Sequence, residues 1–142
     1  MEIPAQKLIP RIKFQDPFHA LIHSFEVFLQ KMSSEYLKID IVRRIEIDEE
    51  KFLELPEDVR YLTGQALARI YLLLREINKK PSKILVTLDE ELNEPQLVLI
   101  FDRKLAPKEE INLLRLISRI LLLLAEKNER FLDIHIIIDY SQ

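Results

Sequence analysis

Residues 107–127 read PKEEINLLRLISRILLLLAEK, and no fold can be drawn for the chain until that stretch has been covered. Pro107 suits a first helical turn, where its missing N–H goes unused. At about 100° per residue, Lys108, Asn112, Arg115, Arg119 and Glu126 fall on one narrow line. Ile111, Leu113, Leu114, Leu116, Ile117, Ile120, Leu121, Leu124 and Ala125 sweep the rest of the helix. That apolar arc is roughly 260° wide, against the roughly 100° stripe of an ordinary surface helix. Either the chain wraps this helix, or another chain does.

The elements available to wrap it follow from periodicity. Residues 1–15 hold Pro4 and Pro10 among Ile3, Leu8, Ile9, Ile12 and Phe14, which predicts an extended arm packed on the domain or on a neighbouring subunit. Asp16-Pro17 is a helix start, with an N-cap acid before a proline. Phe18, Leu21, Ile22, Phe25, Phe28, Leu29, Met32 and Tyr36 then recur at spacings of three and four. Over 37–48, Ile39, Ile41, Ile45 and Ile47 share one parity, with Arg43 among them, and Lys38, Asp40, Arg44 and Glu46 the other, with Val42. That alternation predicts a half-buried strand.

A second helix is expected from Pro56 to about Asn78, opened by Glu57 and Asp58 and closed by Lys79-Lys80-Pro81. Its core stripe is Val59, Leu62, Ala66, Ile70, Leu73, Leu74 and Ile77, with Tyr61, Ala68 and Leu72 as a back stripe. KILVTLD and QLVLIFD, joined by EELNEP, read as a hairpin. The second of these strands is apolar at both parities, as a central strand should be. FLDIHIIIDY closes the chain as a strand, with Ile134, Ile136, Ile138 and Tyr140 alternating with Asp133, His135, Ile137 and Asp139.

The order is helix, then strand–helix–strand–strand–helix–strand. It predicts an α+β domain over residues 16–142, preceded by the arm at 1–15. The arrangement expected is a ferredoxin-like split βαββαβ sheet with an additional N-terminal helix.

Composition removes several classes of function. A hydrophobic fraction of 48% and a charged fraction of 32% suit a globular domain rather than a disordered chain. There is no cysteine, hence no disulfide, thiolate nucleophile or cysteine-held metal. Gly64 is the single glycine and lies inside a helical pattern. Phosphate-cradling loops need glycines for close backbone approach, so neither a Walker loop nor a dinucleotide fingerprint can be built. The net charge of −3 gives no global field for nucleic acid or anionic lipid. No signal pattern or long apolar span is seen, so a cytoplasmic location is expected. The abundance of Lys, Glu, Ile and Leu is thermophile-like.

Three constellations could carry chemistry. His19, His23 and Glu26 stand one turn apart on the first helix, a spacing that can share a metal. The segment reads HALIH, however, with Ala20 where a zincin has its general base. Asp133, His135 and Asp139 share a parity, and beside Lys38, Asp40, Arg44 and Glu46 they would form an acid–histidine sheet face. Arg43, Arg44, Arg69, Arg75, Arg115 and Arg119 could line phosphates, but glutamates interleave them. The polar sheet parities carry no aromatic on which a base could stack.

These patterns favour a non-catalytic association module, a homodimer or a subunit of a larger assembly. Tyr61, Ala68, Leu72, Leu113, Leu116, Ile120 and Leu124 are its expected interface. No cofactor is called for, and neither nucleic acid nor membrane is an expected partner. A metal-assisted enzyme and a nucleic-acid accessory protein are the alternatives.

Overall fold

A computed structural model of the protein describes residues 43–141. The expected N-terminal arm and first helix, with His19, His23, Glu26, Lys38 and Asp40, lie outside the described residues. In order, the elements are strand β1 (Ile45–Ile47), a short helix α1 (Glu49–Phe52), helix α2 (Glu57–Glu76), strand β2 (Lys83–Asp89), strand β3 (Glu94–Phe101), helix α3 (Pro107–Ala125), a 3-10 turn (Glu129–Asp133) and strand β4 (His135–Tyr140).

The four strands form one mixed sheet in the order β1-β2-β3-β4. The β1/β2 and β3/β4 pairs are parallel, and β2/β3 is antiparallel. The molecule is therefore α+β, as expected. Its strand order is sequential, whereas a ferredoxin-like sheet inserts a strand of one unit between the two strands of the other. Here each helix simply returns the chain to the next position in the sheet. The β2–β3 hairpin places the two units side by side.

Backbone chemistry explains where the elements stop. Asn78 takes the left-handed conformation after α2, with φ 60. The Lys79 N–H donates to Leu74 O at 2.8 Å, and the Asn78 N–H donates to Arg75 O at 3.1 Å. This pair of bonds is a Schellman closure, with asparagine in the place glycine usually takes. Asn93 does the same service in the hairpin, at φ 59. There Asp89 Oδ1 accepts from the Glu91 and Leu92 N–H groups, at 3.0 and 3.3 Å. Two asparagines thus supply the positive-φ positions of a nearly glycine-free chain. At the start of α3, Pro107 occupies the first turn and Glu109 Oε1 accepts from the Ala106 N–H at 2.9 Å. That is half of a capping box, because alanine has no side-chain acceptor to complete it.

One sheet face carries Ile84, Val86, Leu88, Leu97, Leu99 and Phe101, all buried, and packs against α2 and α3 in a single core. Ile136, Ile138 and Tyr140 extend that face to the β4 edge, half-buried. The other face carries Leu85, Thr87, Val98, Ile100 and Ile137 among Glu46, Lys83, Gln96, His135 and Asp139. In β4, Ile136, Ile138 and Tyr140 face the core and His135, Ile137 and Asp139 face away, as the alternation predicts. β3, apolar at both parities, is an interior strand between β2 and β4.

Of the expected strand at 37–48, residues 37–42 lie outside the described residues, and Ile45–Ile47 form β1. Arg43 and Arg44 are helical, and strand geometry begins only at Ile45. The final strand also starts later than expected. Phe131, Leu132 and Asp133 belong to the 3-10 turn, whose cap is Asn128, its Oδ1 accepting from the Arg130 N–H at 3.0 Å.

Candidate association surface

Helix α3 buries Leu113, Ile117 and Leu121 against the sheet and α2. These three positions fall on one side at helical spacing, which fixes the rotation of the helix. Lys108, Asn112, Arg115, Arg119 and Glu126 then face water, as the polar line predicts. Of the remaining apolar residues, Leu116, Ile120, Leu124 and Ala125 are half-buried and the others are left exposed. Ile111 is 55% exposed, and Leu122 and Leu123 are each 58% exposed. Leu114 and, from the 3-10 turn, Leu132 are exposed as well.

Three of these apolar groups, Leu114, Leu122 and Leu132, adjoin one another. A groove runs between α3 and β4, lined by Leu114, Ser118 and Leu122 on the helix and by Leu132, Ile134 and Ile136 on the strand side. Beyond it lies the β4 edge. Among the described residues β4 pairs only with β3, so one side of its backbone carries unpaired N–H and C=O groups. Ile137, on the opposite sheet face, is 41% exposed. An apolar groove beside an open strand edge is the least covered apolar region of the described chain. Singly exposed leucines are ordinary on a protein surface, whereas a contiguous set of them is a candidate interaction surface.

The residues expected at an interface from sequence alone divide differently. Ala68 and Leu113 are 0% and 2% exposed and belong to the core. Tyr61, Leu72, Leu116, Ile120 and Leu124 are half-buried. Sequence reasoning missed Leu122, Leu123, Leu132 and Ile137. The signal for the first two is present in the run Leu121 to Leu124, since four consecutive leucines span all sides of a helix. Leu132 carried no such signal, because its 3-10 geometry is set by the Asn128 cap.

Among the described residues the acid–histidine face is not assembled. β1 and β4 are opposite edges of the sheet, three strand spacings or roughly 14 Å apart. Glu46 forms an ion pair with Lys83 at 2.9 Å, and Arg44 Nη1 donates to Pro81 O at 2.7 Å. Asp133 lies in the 3-10 turn rather than on β4. His135 Nε2 instead meets Glu94 Oε1 of the neighbouring strand at 2.7 Å. No group of three or more His, Cys, Asp or Glu side chains that could hold a metal occurs among the described residues.

A basic cleft does form at the far end of the sheet, where Arg44, Lys79, Lys80 and Arg103 surround Ser82 and Asp102. Its charges are partly engaged within the chain. Lys79 is paired with Glu109, and Asp102 Oδ1 accepts from Ser141 Oγ at 3.1 Å. The Lys79 hydrogen bond, the Ala106 N–H and the Lys79 charge together hold the Glu109 carboxyl below the usual carboxylate range. Nearby, Tyr140 donates its hydroxyl to Glu110 Oε2 at 2.7 Å. That bond to a carboxylate, reinforced by desolvation, pushes the Tyr140 phenol up. Both interactions tie the first turn of α3 to the rest of the fold.

No protein family, curated protein or solved structure matches the chain. No helix among the described residues is long and apolar enough to cross a membrane.

Proposed function

We propose that this protein is a non-catalytic association module, a homodimer or a subunit of a larger assembly, and that α3 with its adjoining groove is the surface it associates through. The observation that carries the reading is the exposure of Leu114, Leu122 and Leu132 along one groove. An obligate interface resembles a domain core cut in two. A helix with ten leucines and isoleucines, only three of them buried, has the apolar surface that such an interface needs. The expected half-buried residues Leu116, Ile120 and Leu124, with Tyr61 and Leu72 on α2, are its margin. Ala68 and Leu113 support it from within.

Light scattering on the wild-type chain and on Leu122→Arg tests the reading. The wild type is expected as an oligomer at micromolar concentration. The variant is expected to dissociate with its far-ultraviolet circular dichroism unchanged, because Leu122 makes little contact within its own chain. A monomeric wild type rejects the proposal.

A second reading, a nucleic-acid accessory role, draws on the cleft of Arg44, Lys79, Lys80 and Arg103. Phosphate contacts weaken steeply with salt. Absence of retention on single- or double-stranded nucleic acid at low salt removes this reading.

A further inference from the structure

We infer that β4 is a self-pairing edge: two copies of the chain join β4 to β4 antiparallel about a two-fold axis at Ile137, so that one sheet runs through both. The inference rests on the association reading above and adds to it the partner, the strand and the register.

The two edges of the sheet differ. β1 is three residues long, and its Glu46 is tied to Lys83 at 2.9 Å. β4 is six residues long and reads HIIIDY. A short, charged edge resists pairing, whereas a long apolar one is a template for it.

Backbone direction fixes which groups are available. Phe101 is in register with Tyr140, and the Ser141 N–H donates to Phe101 O at 2.9 Å. In a parallel pair this turns the backbone groups of the odd-numbered β4 residues toward β3. Those of Ile136, Ile138 and Tyr140 consequently point outward. The Tyr140 N–H shows it, since with no strand beside it among the described residues the amide is met by its neighbour's side chain, Asp139 Oδ1, at 2.8 Å.

An antiparallel partner centred on Ile137 uses those outward groups in the correct alternation. Ile136 pairs with Ile138 of the second copy through both main-chain bonds. Ile137 faces its own symmetry mate in the wider, non-hydrogen-bonded position, where side chains approach most closely. The same register sets His135 opposite Asp139 of the copy, twice over. Acid and imidazole thus meet at both ends of the exposed Ile137 pair, and the charge pattern of the strand is complementary to itself. Glu94, already at 2.7 Å from His135 Nε2, holds the ring on that face. On the other face the pairing brings together the two grooves lined by Leu114, Leu122 and Leu132. A register one residue away centres the axis between residues and loses the His135–Asp139 match.

The chain's lack of cysteine makes the register directly readable. Ile137→Cys, oxidised at micromolar concentration, is expected to become a disulfide-linked dimer, since Cα atoms about 4.5 Å apart in a non-hydrogen-bonded pair suit a disulfide. Leu92→Cys, in the hairpin turn and more exposed than Ile137, is expected to remain uncrosslinked. Asp139→Lys sets an ammonium opposite each imidazole and should weaken self-association by about tenfold or more. The triple variant Glu94→Gln, His135→Glu and Asp139→Lys, in which no second carboxylate of the same chain faces position 135, should recover it. A wild-type dimer in which Leu122→Cys crosslinks and Ile137→Cys does not overturns the strand pairing while leaving association through α3 intact. A wild-type monomer overturns both. Failure of the triple variant to recover what Asp139→Lys lost, with Ile137→Cys unlinked, also rejects this register.

Discussion

Helices α2 and α3 have 20 and 19 residues and lie on the same sheet face, yet they are buried to very different extents. α2 buries nine residues and α3 three. The more apolar helix is the less buried one, since α3 carries ten Leu and Ile side chains and α2 six. α2 gains its burial through small residues. Thr63, Gly64, Ala66 and Ala68 are all buried on it, and Thr63 satisfies its hydroxyl by donating to Val59 O at 2.8 Å. Small side chains let a helix lie close to its neighbours, so its large ones, Leu67, Tyr71 and Leu74, reach the centre of the core. α3 has no small residue between Ile111 and Ala125 except Ser118, which lines the groove. Apolar content therefore does not decide which helix the chain covers. Room for close approach does.

Substitutions at matched leucines should break the two helices apart. Leu67→Ala in α2 leaves a cavity in a fully buried site and should cost about 2–5 kcal/mol in urea unfolding. Leu122→Ala in α3 should change the unfolding of the dissociated chain by no more than about 0.5 kcal/mol. Equal losses at the two sites would show that α3 is wrapped within its own chain after all.

Much of this was legible in advance. Pro56, Glu57 and Asp58 marked the start of α2, and its close at Asn78 was read from the Lys79-Lys80-Pro81 stop. Both parities of β3 were apolar, and β3 is interior. The polar line of α3 faces water as read. Strand order was not legible, because a period of two says which face a side chain points to and nothing about which strand lies beside it. The sequential sheet and the split ferredoxin-like sheet share one element order. Arg44 falls on the polar parity of the expected strand yet is helical, and Arg43, also helical, sits on the apolar parity of Ile41 and Ile45 and so breaks the alternation just where the helix ends. On α3, the rotation that buries Leu113, Ile117 and Leu121 could not be distinguished from its neighbours, because apolar residues lay on nearly every side. The interface residues expected there were consequently offset toward the core.

Two smaller predictions sharpen how each helix is held. Asn78→Ala keeps the Cβ but removes the side-chain amide that lets asparagine hydrogen-bond locally in the left-handed region, and should lower stability by about 1 kcal/mol. Asn78→Gly should leave stability equal or higher, and a chemical denaturation series across the three residues measures it. The smallest effect belongs to the first turn of α3. Lys79 and the Ala106 N–H lower the Glu109 pKa in the folded chain. Their contribution is therefore complete above the ordinary carboxylate pKa and is lost as pH falls toward the lowered one. Glu109→Gln should flatten the acid side of the stability profile and leave the neutral side nearly parallel to wild type. Added salt should shrink the difference, because the pair is solvent-exposed.

Sedimentation equilibrium on the wild-type chain over a range of micromolar concentrations tests the central claim most directly. The account predicts a species of at least twice the 16.9 kDa of one chain, dissociating only on dilution. A single species of one chain's mass throughout, with the leucines of α3 left in water, would contradict it.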